Sequence, residues 1–295
     1  MIQIAIVSGK GGTGKTTLAA SLAFLLDWED QVIADCDVDA PNLHLVLNPK
    51  PFETFEYVGG KKAVIDQSVC IGCDVCREVC RFDAVYVEDG VYNIDKYACE
   101  GCNACVIACP VNAIELVDEK SGEYHVSKSE VTGSVMVHAL LEPGEETSGG
   151  LVAEVRKKAI EVAKGEGRDI VVIDGAPGIG CPATSSIVGA SYVVVVTEPT
   201  SSGLHDLERI VELVRHFRRR FGVVVNKYDL NLDKTETIER FCEREDIEII
   251  GKIPFDEDVV KANVLGKPVV EYSDGKASKA IKEIFTNLMN TLKTM

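Results

Sequence analysis

Continuous apolar runs alternate with stretches of helical periodicity over most of the 295-residue chain. The runs IQIAIV, QVIAD, DIVVIDGAPG, YVVVVTEPT and FGVVVNKYD each have the length of a strand that is buried on both faces. Apolar residues at three- and four-residue intervals predict helices in LAASLAFLLDW, SGGLVAEVRKKAIEVAKGEG and HDLERIVELVRHFRRR, with a last helix from about Ser278. This alternation predicts an α/β fold with a mainly parallel sheet flanked by helices.

The pattern changes between residues 59 and 118. Long apolar runs stop there, cysteines occur at short intervals, and two similar stretches follow one another, CIGCDVCREVCRFDAV and CEGCNACVIACPVNAI. An internal duplication of this kind predicts a small, loop-rich unit. We therefore expect one discontinuous α/β domain, residues 1–58 and 119–295, with a second domain of residues 59–118 inserted into it.

Charge and composition narrow the possible partners and location. The formal net charge is −16, and a surface this acidic repels nucleic acids and anionic lipids. The chain has no apolar run long enough to span a bilayer, and its first residues have the pattern of a strand rather than of a signal peptide. We therefore expect a cytoplasmic protein with no nucleic-acid partner and no stable membrane association.

A glycine-rich segment follows the first predicted strand and precedes the first predicted helix. Its sequence, GKGGTGKT, fits the P-loop pattern G-x-x-x-x-G-K-[ST], in which backbone N–H groups surround phosphate oxygens. The Lys15 ammonium is expected to reach the β- and γ-phosphates, and the Thr16 hydroxyl is expected to bind Mg²⁺. The predicted nucleotide contacts in this segment are Gly9, Gly11, Gly12, Thr13, Gly14, Lys15, Thr16 and Thr17.

The segment also contains an earlier lysine, Lys10, which an ordinary P-loop does not need. With it, KGGTGKT resembles the deviant Walker A motif of the MinD/ParA/Mrp family of P-loop ATPases, which includes the nitrogenase iron protein. Further segments resemble that family in both halves of the chain. They are QVIADCDVDAPNL (switch I), IVVIDGAPG (a Walker B-like strand), EPTSSGLHDL, VVVNK and IPFDEDVVKANVLGKPV.

The resemblance implies roles for individual residues. In the family, the early lysine reaches the ATP of the facing subunit in a homodimer, so Lys10 is expected to act in trans as an arginine finger would. Asp37 is expected to orient the attacking water, and Asp174 to hold Mg²⁺ through water. Asn226 matches the position that contacts adenine, although the sequence NKYD is also compatible with guanine recognition.

Eight of the eleven cysteines form two runs with the spacing C-x2-C-x2-C-x3-C. This spacing is typical of bacterial ferredoxins with two [4Fe–4S] clusters, in which the fourth cysteine of each run binds the cluster of the other run. The expected ligand sets are Cys70, Cys73, Cys76 and Cys109 for one cluster, and Cys99, Cys102, Cys105 and Cys80 for the second. Two zinc sites are the alternative, but the third closely spaced cysteine in each run argues against them.

Three further cysteines lie outside these runs. Cys36 and Cys242 occur in apolar contexts and are expected in the core. Cys181 follows GAPGIG in the segment that matches the switch II loop, where it would move with the nucleotide state. A purely structural Cys181 and a labile metal or cluster contact at Cys181 both remain open.

A dimerising ATPase that also carries cysteine clusters suggests three functions. The first, which we prefer, is an ATP-hydrolysing dimer that uses ATP, Mg²⁺ and two [4Fe–4S] clusters and helps to assemble or deliver metal clusters to a client protein. The second is an ATP-gated electron donor to a redox partner, analogous to the nitrogenase iron protein. The third is a positioning ATPase of the MinD/ParA type, which the acidic charge disfavours.

Overall fold

The computed structural model describes residues 1–145 and 149–295. The chain forms two compact units. The larger comprises residues 1–55, 124–140 and 147–295, and the smaller comprises residues 56–123 and 141–146. The smaller unit is therefore wider on both sides than the predicted insert of residues 59–118, and it includes a separate short segment.

The secondary structure alternates as the apolar pattern predicts. The strands are β1 (Ile2–Ser8), β2 (Gln31–Asp35), β3 (Pro49–Ile65), β4 (Val85–Glu88), β5 (Val91–Ile94), β6 (Ile114–Ser129), β7 (Val135–Leu141), β8 (Ile170–Pro177), β9 (Tyr192–Thr197), β10 (Arg220–Asn226) and β11 (Ile249–Ile253). The helices are α1 (Lys15–Leu25), α2 (Leu43–Leu47), α3 (Val75–Val79), α4 (Ala104–Ala108), α5 (Gly149–Gly165), α6 (Cys181–Ile187), α7 (Ser201–His216), α8 (Leu232–Arg244), α9 (Glu257–Val264), α10 (Val269–Tyr272) and α11 (Lys276–Lys293).

The main sheet has the strand order β11-β10-β9-β1-β8-β2-β7-β6-β3. Neighbouring strands from β11 to β7 pair in parallel, as the sequence predicts. The five apolar runs of the sequence form β1, β2, β8, β9 and β10, and β2 and β9 are buried at every position. Because β1 lies between β8 and β9, the loop after it emerges in the middle of the carboxyl edge, where parallel α/β sheets bind ligands.

The C-terminal helix α11 completes the core on one face of this sheet. Its apolar residues Ile281, Ile284, Leu288 and Leu292 are buried. Ile284 packs on Gly251 of β11 so closely that a Cβ at Gly251 would lie 2.4 Å from its Cγ1. Each buried aliphatic side chain of this size contributes about 1.5–3 kcal/mol to stability. Within the described residues, none of the helices is both long and apolar enough to cross a membrane.

Two long strands depart from the prediction of a loop-rich insert. The predicted domain boundaries, at residues 58/59 and 118/119, fall inside β3 and β6. Most residues of β3 are exposed, so the strand has no apolar run by which a sequence pattern could reveal it. Both predicted boundaries therefore lie within continuous strands in the structure.

A buried histidine makes the larger unit sensitive to acid. The His138 ring packs 5.1 Å from the His125 ring, and Ser127 Oγ lies 2.9 Å from His138 Nε2. Burial, and then repulsion by His125 and His44, lower the pKa of His138 to about 4. The unfolded chain, with an ordinary pKa near 6.5, binds this proton more readily, so stability rises as pH increases from about 4 to about 6.5.

We expect the free energy of unfolding to fall by about 3 kcal/mol as the pH decreases from about 6.5 to about 4 because of His138 alone. Anaerobic urea unfolding at pH 4.5 and pH 7 measures the effect. His138→Gln should flatten the pH dependence, whereas replacing the exposed His205 in the same way should leave it unchanged. Equal pH dependence in the wild type and His138→Gln would contradict the assignment.

Candidate functional site

The glycine loop between β1 and α1 is held tightly from one side. Gly12 and Gly14 have φ angles of +79° and +96°, which side-chain-bearing residues rarely adopt. A Cβ at Gly14 would lie 2.2 Å from the Asn226 amide nitrogen, and one at Gly9 would lie 2.2 Å from the Asp206 carbonyl oxygen. The glycines thus permit both the backbone conformation and its close packing.

The loop opens into a cleft of about 450 Å³, which lies within the size range of small-molecule sites. Its lining residues are Gly11, Gly12, Gly14, Lys15, Thr16, Thr17, Asp37, Asp39, Ala40, Asn42, Leu45, Val46, Pro177 and Asn263. Most of the predicted nucleotide contacts are thus brought together in one place. Of the other predicted contacts, Gly9 and Thr13 belong to the loop but not to this lining.

Three aspartates converge at the base of the cleft around Lys15. The Lys15 Nζ lies 3.4 Å from Asp37 Oδ2, and both side chains are largely buried. Asp35 and Asp174 are register partners on β2 and β8. Burial raises the pKa of Asp174 to about 6, against the opposing influence of Lys15 and Thr16. Burial and then the charge of Asp174 hold the pKa of Asp35 well above its usual range.

The hydrogen bonding of Asp35 and Asp174 is incomplete, although Asp35 Oδ1 accepts a hydrogen bond from the Asp37 N–H at 3.2 Å. Both oxygens of Asp174 and Oδ2 of Asp35 are buried without a hydrogen-bond partner among the described residues. A divalent cation would supply the missing positive charge, so the predicted pair of Thr16 and Asp174 fits Mg²⁺ chemically. Sequence reasoning missed Asp35, although it is the first aspartate of the same ADCDVD segment.

Lys10 is bound within its own chain. Its Nζ lies 2.9 Å from Glu198 Oε1 and 3.0 Å from both Thr200 Oγ1 and Ser202 Oγ. Glu198 also pairs with Lys227 at 3.1 Å. Burial raises the pKa of Glu198, but the hydrogen bonds from the two lysines outweigh it and hold the net pKa below the usual value. Glu198 was not among the residues that the sequence singled out, because its role depends on this contact.

Two residues at and just after the end of β10 donate hydrogen bonds to backbone carbonyls of the glycine loop. Asn226 donates its Nδ2 hydrogen to the Thr13 carbonyl at 2.8 Å, and Lys227 Nζ lies 3.3 Å from the Gly12 carbonyl. Asn226 is therefore engaged with the loop backbone and does not line the cleft. Its contact with adenine stays a prediction.

The eight clustered cysteines of the smaller unit line two separate small pockets, with four cysteines at each. The cysteines of the first pocket are Cys70, Cys73, Cys76 and Cys109, and those of the second are Cys80, Cys99, Cys102 and Cys105. The fourth cysteine of each run thus lies with the first three of the other run. These are the two sets of four into which the spacing groups them.

The surroundings of both pockets are apolar, with side chains such as Ile65, Ile114 and Ile94 in the lining. Backbone N–H groups point at two sulfurs, from Ala113 to Cys109 Sγ at 3.2 Å and from Ala63 to Cys99 Sγ at 3.4 Å. Four thiols around one dry pocket, with N–H donors to sulfur, are a chemical fit for a cubane that takes one thiolate at each iron.

A single metal ion makes a different demand, since its ligands must converge on one point. Within residues 1–145 and 149–295, no three His, Cys, Asp or Glu side chains converge in this way. Burial raises the pKa of the Cys76 and Cys105 thiols above the usual value. Burial therefore favours the neutral form of both thiols.

The three remaining cysteines differ in exposure. Cys36 and Cys242 are buried, as expected for core residues, and burial raises the pKa of Cys242 to about 11. Cys181 is exposed at the first position of α6, directly after the loop that follows β8. Its exposure leaves the thiol accessible, and its role stays a hypothesis.

The chain is similar in sequence to known proteins along most of its length. The chain is 34% identical over 289 residues to an uncharacterized protein of Methanocaldococcus jannaschii, covering 98% of this chain and 96% of that protein. It is 24% identical over 312 residues to the iron–sulfur cluster carrier protein of Pyrococcus abyssi, covering 99% of this chain and 87% of that protein.

The fold is also found among solved structures. The septum site-determining protein MinD from Pyrococcus horikoshii, solved with Mg-ADP, matches with a TM-score of 0.57 at 20% identity over 99% of this chain and 98% of that chain. The family model of the CobQ/CobB/MinD/ParA nucleotide binding domain matches residues 4–269. A match of this extent, over the same loop and cleft, shows that the chain belongs to the CobQ/CobB/MinD/ParA family of nucleotide-binding proteins.

Proposed function

We propose that this protein hydrolyses ATP as a dimer and uses the nucleotide cycle to assemble or deliver iron–sulfur clusters to a client protein. The observation that carries the proposal is the presence, in one chain, of a P-loop cleft and two sets of four cysteines around separate pockets. The similarity to an iron–sulfur cluster carrier protein supports the same activity.

In this proposal Lys15 changes partner when ATP binds. Its ammonium is paired with Asp37 in the structure, and the γ-phosphate is the stronger partner because it carries more charge. Asp37 is then free to orient the attacking water, while Thr16 and Asp174 hold Mg²⁺. The ion would neutralise charge that develops on the phosphates.

Lys10 makes a second exchange of partners. It leaves Glu198, Thr200 and Ser202 of its own chain and contacts the ATP of the facing subunit. Glu198 keeps Lys227 as a counter-ion after this exchange, so its charge is not left unpaired. Dimerisation and hydrolysis are coupled in this way, because the catalytic charge arrives only with the second subunit.

The two sets of cysteines would each hold one [4Fe–4S] cluster. Such a cluster supplies iron and sulfide for transfer, or takes up and releases one electron. The apolar linings keep water away from the sulfurs, and the N–H groups of Ala63 and Ala113 stabilise thiolate charge on Cys99 and Cys109.

Cluster transfer to an apo-acceptor tests the proposal. Anaerobically reconstituted protein should contain about eight iron and eight sulfide per chain. It should transfer clusters faster with ATP than without, and Lys15→Ala should remove that difference. Transfer at one rate in all three cases would disprove the carrier function. Zinc in place of iron would disprove the cluster assignment.

The same preparation tests Cys181. Iron above eight per chain that is lost in Cys181→Ser would indicate a labile third site. Iron that stays at eight in both proteins would leave Cys181 without a role in metal binding. The exposure of this thiol is the reason to include the variant.

A second function, ATP-gated electron donation, is favoured by a different observation. Each set of cysteines surrounds an apolar pocket, which suits resident clusters better than clusters that are handed on. This function predicts that a non-hydrolysable ATP analogue shifts the midpoint potential of the clusters. No shift, together with ATP-dependent transfer, would favour the carrier.

A further inference from the structure

The duplication in the smaller unit allows one cysteine pocket to be compared with the other. Cys70 and Cys99 begin the two runs, and the segments before them align as KAVIDQSVC and VYNIDKYAC. In both, the aspartate accepts a hydrogen bond from the backbone two residues later. Lys62 and Val91 occupy matching positions at the start of these segments. The two repeats therefore differ at this position, where one has a lysine and the other has a valine.

Lys62 directly precedes Ala63, which lines the pocket that contains Cys99. Its Nζ donates a hydrogen bond to the Cys99 carbonyl at 3.0 Å, and the next residue, Ala63, donates its N–H to the Cys99 sulfur. The Lys62 side chain is only 14% exposed. A cation fixed to the backbone of a ligand, and shielded from water, acts on that pocket through a low dielectric.

Glu145 pairs with Lys62 at 3.2 Å and partly offsets its charge. The carboxylate lines a polar pocket together with Lys96, Glu119 and Lys120. The ammonium is hydrogen-bonded to the backbone carbonyl of Cys99 as well as paired with Glu145. Lys62 is therefore a cation held at the backbone of a predicted cluster ligand.

Among the residues that the structure describes, the lining of the first pocket includes no lysine or arginine. Val91 replaces Lys62 in the duplicate, and the charged side chain in the lining of that pocket is Asp74. Asp74 is paired with Arg77 through a 2.7 Å hydrogen bond, so the two charges largely cancel. Asn103, which is neutral, takes the place of Asp74 in the second pocket.

We infer that Lys62 makes the two clusters unequal, raising the reduction potential of the one held by Cys80, Cys99, Cys102 and Cys105, so that the first electron is stored there. This inference rests on the proposed cluster ligation. Each cubane gains one electron, and thus one negative charge, when its core goes from 2+ to 1+. A nearby fixed cation stabilises the reduced form more than the oxidised form.

An EPR-monitored redox titration of the full-length protein, with dithionite as reductant, tests this inference. The wild type should show two separate midpoint potentials. Lys62→Gln should lower the higher one by at least a tenfold change in its equilibrium constant, which is 59 mV for a one-electron couple. The other potential should not move. Glu145→Gln should raise the same potential, because the offsetting charge is removed.

Two matched variants separate charge from structure. Lys61→Gln removes the neighbouring lysine, which is exposed and paired with the exposed Asp118, and it should leave both potentials unchanged. Lys62→Arg keeps the charge and should keep the higher potential. A potential that falls equally in Lys62→Arg and Lys62→Gln overturns the inference, as does a shift of the same sign in Lys62→Gln and Glu145→Gln.

The inference and the proposed function fail in different ways. About eight iron per chain with potentials that Lys62→Gln does not move would refute the role of Lys62 and leave the cluster assignment intact. Absence of iron from the reconstituted wild type would refute the cluster assignment itself. Equal iron content in the wild type and Lys62→Gln ensures that a shifted potential does not come from a lost cluster.

Discussion

Replacing Lys10 with alanine is expected to lower the kcat of ATP hydrolysis about a thousandfold. A cation supplied by a facing subunit contributes 10³–10⁵ to phosphoryl transfer in other P-loop enzymes. Lys10 is bound within its own chain in the structure and does not line the cleft, so its loss should leave ATP binding nearly unchanged. Steady-state ATPase rates and equilibrium binding of an ATP analogue measure the two effects.

Lys15→Ala is the matched comparison, since Lys15 does line the cleft. It should weaken nucleotide binding as well as hydrolysis. If Lys10→Ala weakens ATP binding as strongly as Lys15→Ala does, Lys10 acts on the nucleotide of its own chain, and the exchange of partners is wrong. The affinity for ATP, rather than the rate of hydrolysis, therefore distinguishes the roles of the two lysines.

Glu198 controls how readily Lys10 is released. Glu198→Gln removes the charge that holds Lys10 while keeping the shape of the side chain. A charge-assisted hydrogen bond of this partly exposed kind contributes about 1 kcal/mol, and each dimer releases two of them, so we expect the protein concentration for half-maximal ATPase activity to fall about thirtyfold. Glu208→Gln, an exposed change on the helix α7 that follows Glu198, should have no effect.

The sequence predicts the parts of this protein whose chemistry is local. The glycine loop is recognised from its own residues together with the strand before it and the helix after it. The apolar runs that form β1, β8 and β9 are likewise recognised as buried strands from contiguous residues alone. The cysteine spacing is local in the same sense. These features lie in the structure where the pattern places them.

Residues whose role comes from a distant contact were missed. Glu198 holds Lys10 from the opposite half of the chain, and Asp35 is significant because β2 pairs with β8 and brings it beside Asp174. The strand β3 was missed for another reason. Its residues are mostly exposed, and an exposed strand without alternation has no hydrophobic pattern.

The second large expected effect concerns iron content, because the fourth cysteine of each run lines the pocket of the other run. Cys76 and Cys109 line one pocket, although they come from different runs, while Cys105 and Cys109 come from the same run and line different pockets. Replacing Cys76 and Cys109 together with alanine should therefore remove one cluster and leave about four iron per chain. Replacing Cys105 and Cys109 together should damage both clusters and leave well under half of the iron.

Both double variants lose two thiols, so the comparison depends only on which pocket each thiol belongs to. Iron and labile sulfide analysis after identical anaerobic reconstitution measures the outcome, and the EPR spectrum of the remaining cluster identifies it. The surviving cluster of the Cys76 and Cys109 variant should be the one beside Lys62. If the Cys105 and Cys109 variant instead keeps half of its iron, each run binds its own cluster, and the grouping seen in the two pockets does not describe the ligands. The grouping of the sulfurs in the two pockets therefore predicts that the Cys76 and Cys109 variant keeps more iron than the Cys105 and Cys109 variant. If each run bound its own cluster, the order of the two variants would be the opposite.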